Sequence, residues 1–123
     1  MFTRIDHVSI TVQNLEKSIG FYEDHFGFEL LFNDVIPHGQ RITYLMLGST
    51  ILELVEQKEE AIINSQHFCL HTNDFSQDYQ SLIEQGVRLW RLVHDTAART
   101  LHEINWKRAV FLGLDNEQIE IRG

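Results

Sequence analysis

Along the chain the apolar positions change their rhythm twice, and both times in the same order. Val8, Ile10 and Val12 alternate with His7, Ser9 and Thr11, the period of two expected where successive side chains face opposite sides of a sheet. Leu15, Ile19, Tyr22 and Phe26 then recur at spacings of four, three and four, which predicts a helix with one apolar stripe. The period of two returns through FELLFNDVI, QRITYLML and TILELVEQ. The first half therefore predicts β-α-β-β-β.

The second half repeats it. An offset of 60 residues lays HFCLHTNDFSQDYQSL (His67 to Leu82) over HVSITVQNLEKSIGFY (His7 to Tyr22) without a gap. Phe68 and Leu70 alternate with His67, Cys69 and His71, and Phe75, Tyr79 and Leu82 begin the helical stripe. Asn14 and Asp74 occupy equivalent positions, where a side-chain oxygen can accept from the free N–H groups that open a helix. Gly27 and Gly86 follow the two helices, as C-terminal caps favour. Three strands then follow again, in VRLWRLVH, RAVFLGL and EQIEI. Pro37-His38-Gly39, Gly48-Ser49 and Asp115-Asn116 supply turns. The segment DTAARTLHEIN, 95–105, predicts a loop or a single helical turn and carries the extra seven residues that break the 60-residue register.

The expected fold class is α+β, with two βαβββ modules, about 1–57 and 66–123, joined by the charged stretch KEEAIINS, 58–65. One such module cannot cover both faces of its sheet, so the sheets are expected to form a curved mixed-sheet cup with the helices outside. At 123 residues the whole is expected to be a single domain. Each half is an incomplete cup, which predicts a homodimer.

Charge and composition narrow the partners. A net charge of -8 with no basic run opposes nucleic acid, whose binding relies on Lys and Arg neutralising phosphates. No apolar run approaches the roughly 18 to 20 residues of a membrane span, and the N-terminus lacks the apolar stretch of a secretory signal. Cys69 is the only cysteine, so an intrachain disulfide is impossible. These features predict a cytoplasmic protein with a small-molecule substrate, neither nucleic acid nor membrane.

Strand parity singles out four side chains. His7 and His67 face away from the helices. Glu53 and Glu120 lie in the last strand of each half, between Leu52 and Leu54 and between Ile119 and Ile121. A carboxylate in apolar surroundings is costly unless a metal ion or a partnered cation neutralises it. Two imidazoles and two carboxylates suit a divalent Zn, Ni, Co, Mn or Fe ion. Taken singly, each residue could equally be a hydrogen-bonded core histidine or a surface glutamate; their pairing by position in the repeat favours a joint role. His71 shares the face of His67, but four residues along a strand is about 13 Å, so a supporting role is expected. Cys69 reads as a small packed thiol, and Arg41 and Arg122 either hold an anionic substrate or balance nearby carboxylates.

The segments IDHVSITVQNLEKSIGFYEDHFGFEL, TILELVEQ, QHFCLHTNDFSQDYQSLIEQGV and DNEQIEI resemble signature segments of the vicinal oxygen chelate superfamily, which includes glyoxalases, bleomycin resistance proteins and extradiol dioxygenases. The resemblance spans nearly the whole chain. It implies paired βαβββ modules and places the metal ligands at His7, Glu53, His67 and Glu120. Glutamate at the second ligand position is similar to glyoxalase I, and VIPHGQRITYLMLGSTILELVEQ also resembles methylmalonyl-CoA epimerase. The turn Gly113-Leu114-Asp115-Asn116-Glu117 departs from the family's usual Asp-Pro-Asp-Gly-Asn. The implied activity is a lactoylglutathione lyase-like lyase or isomerase, in which proton transfer passes through a metal-stabilised enediolate and Glu120 or Glu53 is the base. The alternatives are an epimerase-like isomerase, an Fe(II) dioxygenase, and a metal-free protein of this fold that binds a drug or other ligand.

Overall fold

The computed structural model describes residues 1, 3–37, 39–58, 66–98 and 100–123. The expected linker 58–65 lies outside these residues except for Lys58, as does His38 of the turn at Pro37. The chain clusters into two compact units, Met1–Ile63 and Asn64–Gly123.

The first unit runs β1 (His7–Val12), α1 (Leu15–Phe26), β2 (Glu29–Val35), β3 (Arg41–Leu47) and β4 (Thr50–Glu56). Its sheet has the order β1-β4-β3-β2. β1 runs parallel to β4, and the other pairs are antiparallel. The Asn14 side chain accepts from Lys17 N at 3.0 Å to open α1, and Gly27, at φ 70°, closes it. That positive φ is strained for any residue with a Cβ. Of the stripe read from the sequence, Leu15, Ile19 and Tyr22 are buried with Ile10, Val12, Leu45, Leu52 and Leu54 of the sheet, while Phe26 at its end is half-buried.

The second unit repeats the order with β5 (His67–His71), α2 (Phe75–Glu84), β6 (Leu89–Asp95), β7 (Lys107–Leu112) and β8 (Gln118–Arg122), in a sheet ordered β5-β8-β7-β6. Asp74 accepts from Gln77 N at 3.1 Å, and Gly86 stands at φ 76° just beyond the helix. Phe75 and Leu82 are buried with Ala109, Phe111, Ile119 and Ile121. In both units the helix covers the face that carries the apolar parity, so His7, Glu53, His67 and Glu120 fall on the opposite face.

The repeat breaks where expected. The link from β2 to β3 spans 36–40 and closes on itself, with Ile36 N donating to Gln40 O at 3.0 Å. Its counterpart from β6 to β7 spans 96–106, and the offset between equivalent strands rises from 60 at β2 and β6 to 66 at β3 and β7. Six of the seven extra residues therefore sit here. They form a single 3-10 turn, Leu101–Glu103, whose opening is capped by Thr100 and Glu103.

The turn from β7 to β8 is closed from inside. Glu117 is 1% exposed; its carboxylate accepts from Asp115 N at 2.9 Å, and Gly113 N donates to its carbonyl, also at 2.9 Å. A Cβ at Gly113 would stand 1.9 Å from Glu117 Oε1, so any larger residue would have to displace that buried carboxylate. Arg88 braces the turn by donating to Gly113 O at 2.7 Å and Asn116 Oδ1 at 2.9 Å.

Candidate functional site

In the first unit the parallel pairing sets Ser9 directly beside Glu53 and His7 beside Ile51. His7 and Glu53 are thus diagonal neighbours on one face, with His7 Nε2 3.8 Å from Glu53 Oε2. Ser9 Oγ donates to Glu53 Oε1 at 2.8 Å. Tyr44 lies across from Glu53 on β3, and its ring stacks against His7 with 5.7 Å between centroids. Desolvation, followed by the charge of Glu53, pushes the Tyr44 phenol above its ordinary pKa.

His7 Nδ1 lies 3.0 Å from Asp6 Oδ2. That hydrogen bond is the main reason the imidazole pKa is raised, and it also holds the Asp6 carboxyl below its usual range. With Nδ1–H committed to Asp6, neutral His7 presents Nε2 as a lone-pair donor, the orientation that a neighbouring carboxylate gives to metal-binding histidines.

The second unit places His67, Cys69 and Glu120 in the same register: Cys69 pairs with Glu120 as Ser9 does with Glu53, and His67 is diagonal to Glu120. The surroundings differ. Arg108 and Arg122, directly opposite each other on β7 and β8, both reach Glu120. Arg108 Nη2 donates to Oε2 at 3.0 Å, and Arg122 Nε lies 3.6 Å from Oε1. Arg122 Nη2 donates in turn to Glu103 Oε1 at 2.6 Å. Burial, then the Glu120 charge, raises the Cys69 thiol to about 11.

Next to these groups is a cavity of about 320 Å³, lined by His67, Cys69, Arg108, Glu120 and Arg122 from the strands and by Thr96 and Ala97 from the 96–106 link.

Each unit therefore brings one histidine and one glutamate of the predicted set together. His71 instead packs against Trp106, with 5.0 Å between ring centroids. Arg41 balances carboxylates, pairing with Glu16 and lying 3.5 Å from Glu56. Sequence reasoning passed over Asp6, Ser9, Tyr44, Arg108 and Glu103. Asp6 and Ser9 were within reach of it, as polar neighbours of His7 in a strand.

The sequence profile of the Glyoxalase/Bleomycin resistance protein/Dioxygenase superfamily matches residues 4–120. The chain belongs to this superfamily. Within it, metallothiol transferase FosB of Staphylococcus epidermidis is 27% identical over 125 residues, covering 97% of this chain and 80% of that protein. Mitochondrial methylmalonyl-CoA epimerase of Mus musculus is 28% identical over 100 residues, or 69% of this chain. The match spans 54% of the epimerase, about half its length. A glyoxalase family protein from Enterococcus faecalis superimposes with a TM-score of 0.80 at 22% identity, over 99% of this chain and 98% of that one, a likeness of fold. Among the described residues no helix is long and apolar enough to cross a membrane.

The histidine–glutamate pair can be tested for fit to a divalent ion. Two donors each about 2.1 Å from one ion stand roughly 3 to 3.5 Å apart. His7 Nε2 and Glu53 Oε2, at 3.8 Å, need only a small closing movement. Glu120 keeps acceptor capacity beside Arg108, since a carboxylate offers about four lone-pair sites. The donor set fits.

Proposed function

We propose that the chain is a divalent-metal-dependent enzyme that moves a proton at a carbon beside a substrate carbonyl, as a lyase or isomerase. His7, Glu53, His67 and Glu120 are the ligands in this reading, and the two modules act as one glyoxalase-like domain in a cytoplasmic homodimer. The observation that carries it is the diagonal placement of a histidine and a glutamate on the parallel strand pair of each module, on the face away from the helix. A metallothiol transferase and an epimerase among the relatives support metal dependence and proton transfer.

The ion, when bound, supplies Lewis acidity at substrate oxygen. The chain's own residues do the rest. Asp6 fixes the ring of His7, and Ser9 fixes one oxygen of Glu53. Glu53 is the better placed base, because its contacts are the neutral side chains of Ser9 and Tyr44 and the imidazole of His7, whereas both oxygens of Glu120 face guanidinium groups. Glu120 serves as a held ligand.

The test is solvent exchange. Reconstituted with Zn, Ni, Co, Mn or Fe, the protein is incubated in D₂O with methylglyoxal plus thiols and, separately, with a 2-methylacyl-CoA. Deuterium is expected at the carbon beside the carbonyl with one of them, and Glu53→Gln should slow its entry by about 10² to 10⁴-fold, the usual contribution of a general base. Metal content is measured alongside. A metal-loaded wild type that exchanges no proton in either substrate overturns the reading.

A further inference from the structure

Three donor atoms around the cavity of the second unit lack a hydrogen bond, Arg122 Nε standing 3.6 Å from Glu120 Oε1 as an ion pair. Arg108 Nε, Arg122 Nε and Thr96 Oγ1 are buried and have no hydrogen-bond partner among the described residues, and all three residues line the one cavity of about 320 Å³. Buried donors are nearly always paired in a folded protein, so three around a single space point to an acceptor group that enters it. The charge agrees. Two guanidinium groups face one lining carboxylate, Glu120, and a second carboxylate, Glu103, pairs with Arg122 from behind. The lining is cationic in a chain of net charge -8.

We infer that this cavity is an oxyanion subsite, in which Arg108, Arg122 and Thr96 bind the carboxylate or phosphoryl group of a small substrate. Guanidinium donors are spaced for two oxygens of one such group, and the hydroxyl of Thr96 adds a third contact from the 96–106 link. The volume sits at the lower end of small-molecule pockets, roughly 300 to 1,000 Å³, which suits an anionic group with a few carbons and excludes a macromolecule. Glu103 positions Arg122 from behind, by its 2.6 Å bond to Nη2. Glu103 lies in the longer link that the first module lacks, whereas Thr96 stands where the first module has Ile36, each closing its link with a backbone bond, so the added residues contribute the group that positions Arg122. The inference deepens the proposed function and rests on it for the reaction: the deprotonated substrate is an anion.

The experiment uses the full chain freed of metal with chelator, so its result is independent of turnover. Inorganic phosphate and acetate are titrated separately, at constant ionic strength set with chloride, and followed by calorimetry and by amide chemical shifts. Saturable binding of at least one is expected, with shifts at Thr96, Arg108 and Arg122. Tighter phosphate assigns a phosphoryl group, and tighter acetate a carboxylate. Arg108→Gln should weaken binding at least tenfold and Thr96→Val about threefold, with circular dichroism confirming that both variants are folded; Arg41→Gln, on the other module, should leave it unchanged. Non-saturating titrations with both anions, or wild-type affinity in both folded variants, overturn the subsite and leave the proton-transfer reading standing. Saturable binding in a protein that exchanges no proton keeps the subsite and removes the reaction.

Discussion

The two modules place a glutamate at the same point of the same strand pair and then treat it differently. Glu53 looks across at Tyr44, with Ile42 and Val55 the next pair on the same face; its polar contacts are the hydroxyls of Ser9 and Tyr44 and the imidazole of His7. Glu120 has Val110 opposite, and the next pair on the same face is Arg108 with Arg122. Where the first module has two aliphatic side chains, the second has two guanidinium groups. One carboxylate thus lies among hydroxyls and an imidazole, and the other is held in an ion-pair network. A repeated scaffold gives two equivalent glutamates different electrostatic settings by changing two positions beside them.

The largest effect that would test this contrast is on stability. Glu120→Ala leaves two partly buried guanidinium groups facing each other without their shared counter-ion, and the metal-free chain should lose about 3 kcal/mol. Glu53→Ala removes hydrogen bonds to neutral groups and should cost about 1 kcal/mol. Urea unfolding midpoints compare the two, and equal losses would break the contrast.

A smaller effect concerns the residues beside each glutamate, Ser9 and Cys69. The Cys69 thiol ionises at about 11 against an ordinary 9.0, so iodoacetamide at pH 8 should label the native, metal-free chain about tenfold more slowly than the urea-unfolded one, after allowing for the greater nucleophilicity of a more basic thiolate. The sign for stability follows from linkage. The folded state favours the protonated thiol, so its contribution is complete below pH 9 and is lost as pH rises through 11. Ser9→Cys, beside a glutamate without guanidinium partners, provides the matched comparison for labelling.

The smallest effect tests sameness. Asn14→Ala and Asp74→Ala each remove one helix-opening acceptor and should each cost about 1 kcal/mol, read by thermal melting. A marked inequality would mean that the two helices are not equivalent supports for their sheets.

Much of this organisation was legible in the sequence because it depends on local rules. Parity in β1, β4, β5 and β8 assigned each side chain to a face, and Asn14, Asp74 and Gly27 announced the helix ends. The insertion was visible as a lost register. The pairing of Arg108 with Glu120 was not. It depends on the alignment of β7 with β8, which is set by the five-residue turn at 113–117, and nothing local in RAVFLGLDNEQIEI fixes how that turn closes. Arg122 was noticed yet left between two roles for the same reason: its partner Glu103 comes from a segment without periodicity. Tyr44 was hidden by its apolar character, since an aromatic residue in a strand reads as packing until the residue opposite it is known.

The closed turn at 113–117 also offers a way to time the molecule. Amides in a surface turn ordinarily exchange with solvent in step with small local fluctuations. Here Gly113 N–H is tied to the Glu117 carbonyl and Asp115 N–H to a carboxylate that is itself sealed from water. The Asp115 proton is released only when the Glu117 carboxylate moves and the Gly113 proton only when the backbone pair parts, and Arg88 holds the turn shut over both. Their exchange should therefore keep pace with the slow opening of the β7–β8 hairpin, so two turn amides become a clock for the strand pair that carries Arg108 and Glu120.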